Sequence, residues 1–324
     1  MIEVFLDRRE SSVREFATER ERERERGVWG DAVLNRGLLQ SGKFATHLSL
    51  NNAVTIPRLG LGTHRSTGED VKAAVLWALQ SGYRHIDTAS IYKNETEIGQ
   101  AVRDSGVARE SLFITSKVSP YEQGFECALA SVGNILQRLD CGYLDLCLIH
   151  WPGAAKLKLQ SEKNRELRQE TWRALEKLYD ERKCRAIGVS NFTVQHLEGL
   201  LSTCAIKPAV NQVEMHPYLT QASLRDFCTQ KDIVVEAYSP LGVGNLLTDP
   251  VVCEIAARRQ RTPAQILLRW GLQQNVVVLP KSVKKERIKE NIDVFGFSLS
   301  DEEMATLNGL DRNHHFCWSP DGIL

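Results

Sequence analysis

The chain has 324 residues, a length that fits one large domain or two ordinary ones, and 42% of them are apolar, enough for a sizeable core. Its 41 Lys and Arg residues equal its 41 Asp and Glu residues, so no net field favours nucleic acid or an anionic membrane as a partner. No stretch of the sequence approaches the roughly 18 apolar residues that a membrane span requires.

Cysteine usage indicates the compartment. A chain of this length does not need disulfides for stability, and its eight cysteines include no CxxC pair. We therefore expect reduced thiols, a cytoplasmic location and no metal site. The cysteines are Cys127, Cys141, Cys147, Cys184, Cys204, Cys228, Cys253 and Cys317.

The first 44 residues differ from the rest of the chain. From Glu19 to Arg26, Glu and Arg alternate strictly, a pattern that provides no apolar face to bury. Such a segment is typical of solvated coil or of a charged helix held by side-chain pairs. We predict a charged extension over 1–44, without catalytic importance, and a folded domain over 45–324.

The folded region begins with a predicted hairpin and continues with alternating strands and helices. The hairpin covers 46–56, with the turn at Asn51-Asn52. Helical runs follow, such as the one in which Val71, Val75 and Leu79 share a face. Eight strand-like runs are predicted at 58–62, 85–89, 112–118, 144–151, 184–191, 209–216, 232–239 and 275–281.

Two folds match this alternation of strands and helices. An open doubly wound sheet usually carries a GxGxxG turn after its first strand, but residues 60–65 read GLGTHR and lack the third glycine. The strands are nearly continuous apolar runs, as expected when both faces of a parallel sheet are buried. We therefore predict a closed (β/α)₈ TIM barrel with the N-terminal β-hairpin closing its bottom.

Four reactive side chains follow the predicted strands. Asp87, Lys117 and His150 lie at strand ends, and Tyr92 lies just beyond one. In a barrel these ends meet at one mouth. A carbonyl that accepts a hydride needs a proton donor, and an ammonium lowers the pKa of a phenol. We predict Tyr92 as the acid, Lys117 as its cation, Asp87 as the partner of Lys117, and His150 as the residue that orients the substrate.

Each of these residues also has an ordinary explanation. A strand-end Asp is often a helix cap, a nearby Tyr packs on the surface, a lone Lys is solvated, and a His can be a satisfied core residue. The functional interpretation depends on their joint placement and on a neighbouring basic segment, 279–291. There Lys281, Ser282 and Arg287 predict a phosphate site, because loops after the last barrel strands often bind phosphate.

Further polar residues follow other strands. Ser190, Asn191 and Gln212 are predicted to bind a carboxamide, and Tyr238 to stack on a nicotinamide ring. Ser239 and Leu241 are predicted to run along a pyrophosphate. Glu290 and Asn291 are predicted to contact an adenine or ribose.

By its motifs the chain resembles the aldo-keto reductases, over about 45–324. The motifs are HIDTASIYKNETEIG at 85–99, LYDERKCRAIGVSNF at 178–192 and LPKSVKKERIKEN at 279–291. VNQVEMHPY and AYSPLG are also similar to the family. The resemblance implies a usually monomeric barrel that reduces small aldehydes or ketones with NADPH. The same cofactor and catalytic roles carry over to the residues above, with Gly62 and Thr63 added at the cofactor.

Some positions depart from the family. His64 stands where many members have an aromatic residue, while Trp151 is kept on another wall of the substrate pocket. The loop after His150 and the tail after Asn291 are short, so we expect an open, broadly specific pocket. Two other hypotheses are a cofactor-sensing binding subunit and a structural protein on the same fold, but neither requires all four reactive residues.

Overall fold

Every predicted strand run contains a strand of one parallel sheet. The computed structural model describes residues 44–324, of which Thr46–Leu324 form one compact unit. Each strand pairs with the next one along the chain, so strand order follows sequence order. The eight strands are β3 (Leu61–Gly62), β4 (His85–Asp87), β5 (Phe113–Val118), β6 (Leu146–Ile149), β7 (Ile187–Ser190), β8 (Val210–Glu214), β9 (Val234–Tyr238) and β10 (Val277–Leu279).

The sheet closes on itself between its first and last strands. The Gly60 and Gly62 amides donate to the carbonyls of Val278 and Pro280, both at 3.0 Å. The Val278 amide donates in return to the Arg58 carbonyl at 2.9 Å. These bonds extend the parallel ladder across the seam, which confirms the predicted (β/α)₈ barrel.

Helices follow each strand and cover the outside of the barrel. In the first helix the predicted stripe of Val71, Ala74, Val75, Ala78 and Leu79 is buried. The described part of the chain contains α1 (Gly68–Gln80), α2 (Glu95–Asp104), α3 (Phe125–Leu139), α4 (Lys163–Asp180), α5 (Val194–Leu201), α6 (Ala222–Gln230), α7 (Pro250–Arg259), α8 (Pro263–Gln273), α9 (Lys285–Ile292) and α10 (Asp301–Asn308).

The predicted hairpin consists of β1 (His47–Ser49) and β2 (Thr55–Pro57). The turn residues Asn51 and Asn52 donate side-chain bonds at 2.9 Å to the carbonyls of Pro208 and Arg185, which precede two barrel strands. Leu50 and Ile56, at the turn and on β2, pack into a core cluster with inward-facing strand residues. The hairpin thus closes the amino-terminal end of the barrel, as predicted.

The observed strands are shorter than the predicted runs. The first run, 58–62, keeps only Leu61–Gly62 and an isolated bridge from Leu59 to Val278. At most of the other strands the ladder stops before the end of the run, because the last residues turn into the loops of the mouth. His150 and Asn191 lie in these turns, whereas Asp87 and Lys117 stay on their strands.

The remaining predictions concern the chain as a whole. None of the eight cysteines, all of which lie in the described residues, is in a disulfide. In residues 44–324, no helix combines the length and apolarity that crossing a bilayer would demand. The predicted charged extension over 1–44 lies outside the described residues except for its last position.

Candidate active site

A buried ion pair occupies the carboxyl ends of two neighbouring strands. Lys117 on β5 is completely buried, and its Nζ donates to both carboxylate oxygens of Asp87 at 2.7 Å. A third bond runs to the Thr88 carbonyl at 2.9 Å. Burial alone would lower the pKa of Lys117, but its neighbours, Asp87 first and then Tyr92, together outweigh burial and raise that pKa. The site therefore contains a fixed ammonium group.

Tyr92 lies directly beside this ammonium. It ends a short 3₁₀ turn (Ser90–Tyr92) that follows β4, and its ring centroid is 5.4 Å from Lys117 Nζ. The ring centroids of His64 and His150 lie 5.0 and 5.6 Å from that of Tyr92. The structure therefore brings together Asp87, Tyr92, Lys117 and His150 from three separate strand ends, beside His64.

The acidity of Tyr92 differs from the sequence-based expectation. Burial of the phenol raises its pKa, and Lys117 only partly offsets this effect. The net decrease expected for the pKa of Tyr92 is therefore not found. The phenol is protonated at neutral pH, which suits a hydrogen-bond donor to a carbonyl oxygen.

His150 is an uncharged imidazole. Burial lowers the pKa of His150 well below its usual value, and the nearby positive charge of Lys117 lowers it further. Its backbone amide donates to the Val118 carbonyl at 3.1 Å, while its Nδ1 is buried without a hydrogen-bond partner in the described part of the chain. A neutral imidazole at the mouth can donate one hydrogen bond to a substrate without adding charge.

The predicted carboxamide residues form one hydrogen-bonded cluster next to this group. The Ser190 hydroxyl donates to the Gln212 carbonyl at 2.8 Å, and Asn191 Nδ2 donates to the His150 carbonyl at 2.9 Å. The Tyr238 hydroxyl donates to Asn191 Oδ1 at 2.8 Å. These bonds hold the Tyr238 ring at the rim, and they occupy much of the hydrogen-bonding capacity of Asn191.

A buried carboxyl group below the ion pair was not predicted from the sequence. Gln212 Nε2 donates to Asp87 Oδ2 and to Glu236 Oε2, both at 2.8 Å. Glu236 on β9 is fully buried inside the barrel, and its Oε1 lies 3.7 Å from His85 Nε2. The sequence does contain an indication of this group. Glu236 is an acidic residue within the apolar run 232–239, and because side chains alternate in direction along a strand, its position points into the barrel.

Glu236 makes the stability of the protein depend on pH. Burial, reinforced by the negative charge of Asp87, raises the pKa of Glu236 to about 8. The unfolded chain loses this proton first, so between about pH 4.5 and pH 8 the native state binds more protons and its stability falls as pH rises.

The variant Glu236→Gln tests this pH dependence, because its side chain cannot ionise. We expect the free energy of unfolding of the variant, relative to that of the wild type, to rise from pH 5 to pH 8. Urea titrations at several pH values measure this difference, and a difference that does not change with pH would contradict the raised pKa of Glu236.

The predicted phosphate segment lies at the end of β10 and on α9. Lys281 and Arg287 are exposed, and within residues 44–324 neither forms an ion pair or a side-chain hydrogen bond. Ser282 Oγ accepts from the Lys284 amide at 3.1 Å. A pair of exposed cations without anionic partners, next to a hydroxyl, suits a phosphate monoester.

Four other predicted cofactor residues lie on α9 or at the first strand of the barrel. Glu290 accepts a hydrogen bond from Thr262 at 2.7 Å, and Asn291 is buried on the same helix. The Thr63 hydroxyl donates to the Asp87 carbonyl at 2.9 Å. At Gly62 an added Cβ would lie 3.2 Å from the Leu279 carbonyl oxygen, so the seam of the barrel requires a small residue there.

The chain's C-terminal segment crosses the mouth, and its attachment was not predicted. Glu214 at the end of β8 accepts backbone bonds from Phe316 at 2.8 Å and from Cys317. Cys317 Sγ lies 3.6 Å from Ser239 Oγ. The exposed ring of Trp318 then lies 6.4 Å from Trp151, centroid to centroid. The short tail therefore contributes a wall opposite the predicted substrate residues.

The residues present fit a nicotinamide dinucleotide. Tyr238 provides a fixed ring, Gln212 an amide, and Lys281 and Arg287 two exposed cations. Residues 44–324 contain no group of three or more His, Cys, Asp or Glu side chains that could bind a metal ion. A nicotinamide ring, its carboxamide and a phosphate group are the cofactor parts that these residues match.

Comparisons with known proteins agree with this geometry. The sequence model described as "Aldo/keto reductase family" matches residues 58–312. The chain is 49% identical over 278 residues to a protein from Bacillus subtilis named "Glyoxal reductase", covering 86% of this chain and 97% of that protein. It is 45% identical over 280 residues to a Trypanosoma cruzi protein named "9,11-endoperoxide prostaglandin H2 reductase", covering 85% of this chain and 95% of that one.

Solved structures give the same result. The crystal structure of MGS-M4, named as an aldo-keto reductase from a deep-sea metagenome library, superposes with a TM-score of 0.79 at 42% identity. That match covers 85% of this chain and 98% of the other. A structure of an aldo/keto reductase from Brucella melitensis matches with a TM-score of 0.76 at 41% identity, covering 82% of this chain and 99% of that one.

Proposed function

Because the chain belongs to the aldo-keto reductase family, whose members are oxidoreductases acting on carbonyl groups, we propose that it reduces aldehydes and ketones to alcohols with NADPH. The observation that carries the proposal is the arrangement at the mouth. A protonated phenol, a neutral imidazole and a fixed ammonium converge on one accessible space.

Tyr92 is the proposed acid. A bound reduced nicotinamide supplies the hydride to the carbonyl carbon. As negative charge develops on the substrate oxygen, the Tyr92 hydroxyl donates its proton there. The Lys117 ammonium, close to the ring, stabilises the phenolate that remains. Asp87 keeps the ammonium charged and fixed, so no group has to move when the proton leaves.

His150 is proposed to orient the substrate. Its imidazole is neutral and can donate a single hydrogen bond to the carbonyl oxygen from the side opposite Tyr92. A charged imidazole would compete with Tyr92 as the proton donor, and the positive charge of Lys117 disfavours that form. His64, Trp151 and Trp318 are the proposed walls of the substrate pocket.

The proposed cofactor contacts follow from the same geometry. Ser190, Asn191 and Gln212 would hold the carboxamide, and Tyr238 would stack on the ring. Ser239 and Leu241 would line the pyrophosphate, beside Gly62 and Thr63 at the barrel seam. Lys281, Ser282 and Arg287 would grip the 2′-phosphate, with Glu290 and Asn291 at the adenine.

A substrate panel tests the function. Purified protein is mixed with NADPH and with benzaldehyde, glyoxal and simple ketones, and absorbance at the nicotinamide band is followed. Glyoxal is included because a similar protein carries that substrate in its name. We expect NADPH oxidation with several aldehydes. Tight NADPH binding without turnover of any carbonyl would instead favour a cofactor-sensing subunit.

Arg287 is expected to determine the preference for NADPH over NADH. It is an exposed cation on α9, and only NADPH has the 2′-phosphate that we propose it binds. We expect Arg287→Ala to weaken NADPH binding about tenfold or more and to leave NADH binding unchanged, since a charge-assisted bond contributes about 1.5–3 kcal/mol. Fluorescence titration with both cofactors measures the two dissociation constants.

Lys289→Ala is the matched control for Arg287→Ala. Lys289 is another exposed cation of the same helix, two residues further on, so it tests whether general positive charge is sufficient. We expect little change in the binding of either cofactor. Equal weakening of NADPH and NADH by Arg287→Ala would refute the phosphate assignment.

A further inference from the structure

One nitrogen atom connects the ion pair with the second buried carboxyl group. Gln212 Nε2 lies 2.8 Å from Asp87 Oδ2 and 2.8 Å from Glu236 Oε2. Gln212 itself is only 2% exposed and stands on β8, in register with Glu236 on the neighbouring strand β9. Its amide is therefore held from two sides rather than free to rotate.

The chemistry of these contacts fixes which amide atom points inward. Asp87 accepts two bonds from Lys117 and is an acceptor on both oxygens. The Gln212 atom that faces it must be the nitrogen, because an amide oxygen there would oppose a carboxylate oxygen. An amide nitrogen carries two hydrogens, so the same atom serves Asp87 and Glu236 together.

His85 adds no charge beside Glu236. His85 Nδ1 lies 3.4 Å from the Pro57 carbonyl, which can only accept, so the proton of the imidazole is on Nδ1. His85 Nε2 is then a bare acceptor, 3.1 Å from Thr115 Oγ1 and 3.7 Å from Glu236 Oε1. Burial lowers the pKa of His85 to about 4 and raises that of Glu236 to about 8, so both groups are uncharged at neutral pH, and Glu236 Oε1 has no hydrogen-bond partner in the described residues.

The charged groups around Glu236 are few. Asp87 from β4 and Lys117 from β5 are the charges that act on it, and Gln212 from β8 is its hydrogen-bond donor. The neighbouring strand β10 places apolar Val277 in register with it. Glu236 therefore has no direct contact with the reacting atoms, and any effect on the reaction passes through Gln212.

We propose that Glu236 is a positioning residue that, together with Asp87, holds the Gln212 amide with its nitrogen in the barrel and its oxygen toward the nicotinamide carboxamide. The two carboxyl groups accept both hydrogens of Gln212 Nε2, and no described residue donates to Gln212 Oε1. The oxygen is thus left to accept from the NH₂ group of the carboxamide. The same amide also connects cofactor binding with the Asp87–Lys117 pair.

This inference deepens the proposed function and rests on it, because it assumes a nicotinamide at the mouth. The test compares binding of NADP⁺ with that of its 3-acetylpyridine analogue, in which an acetyl group replaces the carboxamide and no N–H remains to donate. Quenching of tryptophan fluorescence gives both dissociation constants, independently of turnover. We expect the wild type to bind NADP⁺ about tenfold more tightly than the analogue, about the energy of one hydrogen bond.

Glu236→Leu removes the second acceptor and leaves the Gln212 amide held by Asp87 alone, so that the amide can swing about that one bond and Gln212 Oε1 is no longer aimed at the carboxamide. We expect this variant to bind the two dinucleotides within about twofold of each other. Glu236→Gln, whose own amide can accept from Gln212 and donate to His85, should keep the tenfold ratio. Val235→Ala shortens a buried side chain on the opposite face of the same strand, and should lower stability while keeping the ratio.

The outcomes separate the two claims. If the wild-type protein fails to bind NADP⁺, both the proposed function and this inference are wrong. A wild type that binds NADP⁺ while Glu236→Leu retains the tenfold ratio overturns only the role of Glu236. A wild type that binds both dinucleotides equally shows that the Gln212 oxygen does not face the carboxamide.

A crystal structure of the wild-type complex with NADP⁺ makes the test independent of any variant. The proposal requires Gln212 Oε1 within hydrogen-bond distance of the carboxamide nitrogen, with Nε2 still between Asp87 and Glu236. A carboxamide oxygen facing Gln212, or an amide turned away from Glu236, would overturn it.

Discussion

Tyr92→Phe is expected to lower kcat for aldehyde reduction by about 10³-fold while the dissociation constant for NADPH stays unchanged. General acid catalysis by a positioned group contributes about 10²- to 10⁴-fold, and the phenol lies beside the fixed ammonium. The substitution removes one oxygen atom and keeps the ring that packs between His64 and His150. Steady-state kinetics and fluorescence titration measure the two quantities.

Tyr83→Phe is the matched control for Tyr92→Phe. Tyr83 is a second buried tyrosine, just before β4 and therefore at the end of that strand opposite the mouth, and its hydroxyl donates to the Ile288 carbonyl at 3.0 Å. Losing that bond should cost about 1 kcal/mol of stability and leave kcat unchanged. A Tyr92→Phe enzyme that retains the wild-type rate would assign the proton to another group, such as His150.

Lys117→Met is expected to abolish most of the activity and to destabilise the fold. Without the ammonium, Asp87 remains buried and unpaired, and breaking a buried pair in this way costs about 3–5 kcal/mol. The phenolate of Tyr92 also loses its cation, so we expect kcat to fall by at least about 10²-fold. Urea denaturation and steady-state kinetics measure the two losses separately.

The double variant Asp87→Asn with Lys117→Met distinguishes the two effects. It removes both charges, so most of the stability lost by Lys117→Met should return, because no buried charge is left unpaired. The activity should not return, because the phenol still lacks its cation. Recovery of activity together with stability would show that the ion pair supports the fold and has no part in proton transfer.

The sequence predicts most of the fold because the barrel depends on patterns that are local in the chain. Apolar runs of strand length alternate with amphipathic helices, and the stripe of Val71, Val75 and Leu79 is buried as predicted. The strand ends are less well predicted. The runs continue into the mouth, where residues such as Trp151 and Ser239 leave the hydrogen-bonded ladder, and residue type alone does not show where that happens.

The candidate site is predictable to the extent that strand ends meet at one mouth. That rule, with the family motifs, placed Asp87, Lys117 and His150 together, as the structure has them. It did not give the net effect of burial on Tyr92, because the pKa depends on how much protein surrounds the phenol and not only on its charged neighbour.

Contacts between residues from distant parts of the chain also could not be predicted from the sequence. Glu236 contacts Gln212 and faces His85 only because three strands curve around the same interior. Glu214 fixes the tail through backbone amides of Phe316 and Cys317, about a hundred residues away. Such bonds follow from closure of the barrel, and no local pattern in the sequence predicts them.

The transfer of deuterium from the cofactor tests the central claim most directly. NADPH carrying deuterium at both positions of nicotinamide C4 is mixed with the wild-type protein and benzaldehyde, and the alcohol is analysed by mass spectrometry. We expect one deuterium on the carbinol carbon of every product molecule and an ordinary proton from solvent on its oxygen. An alcohol whose carbinol carbon carries no deuterium would contradict a direct hydride transfer beside Tyr92.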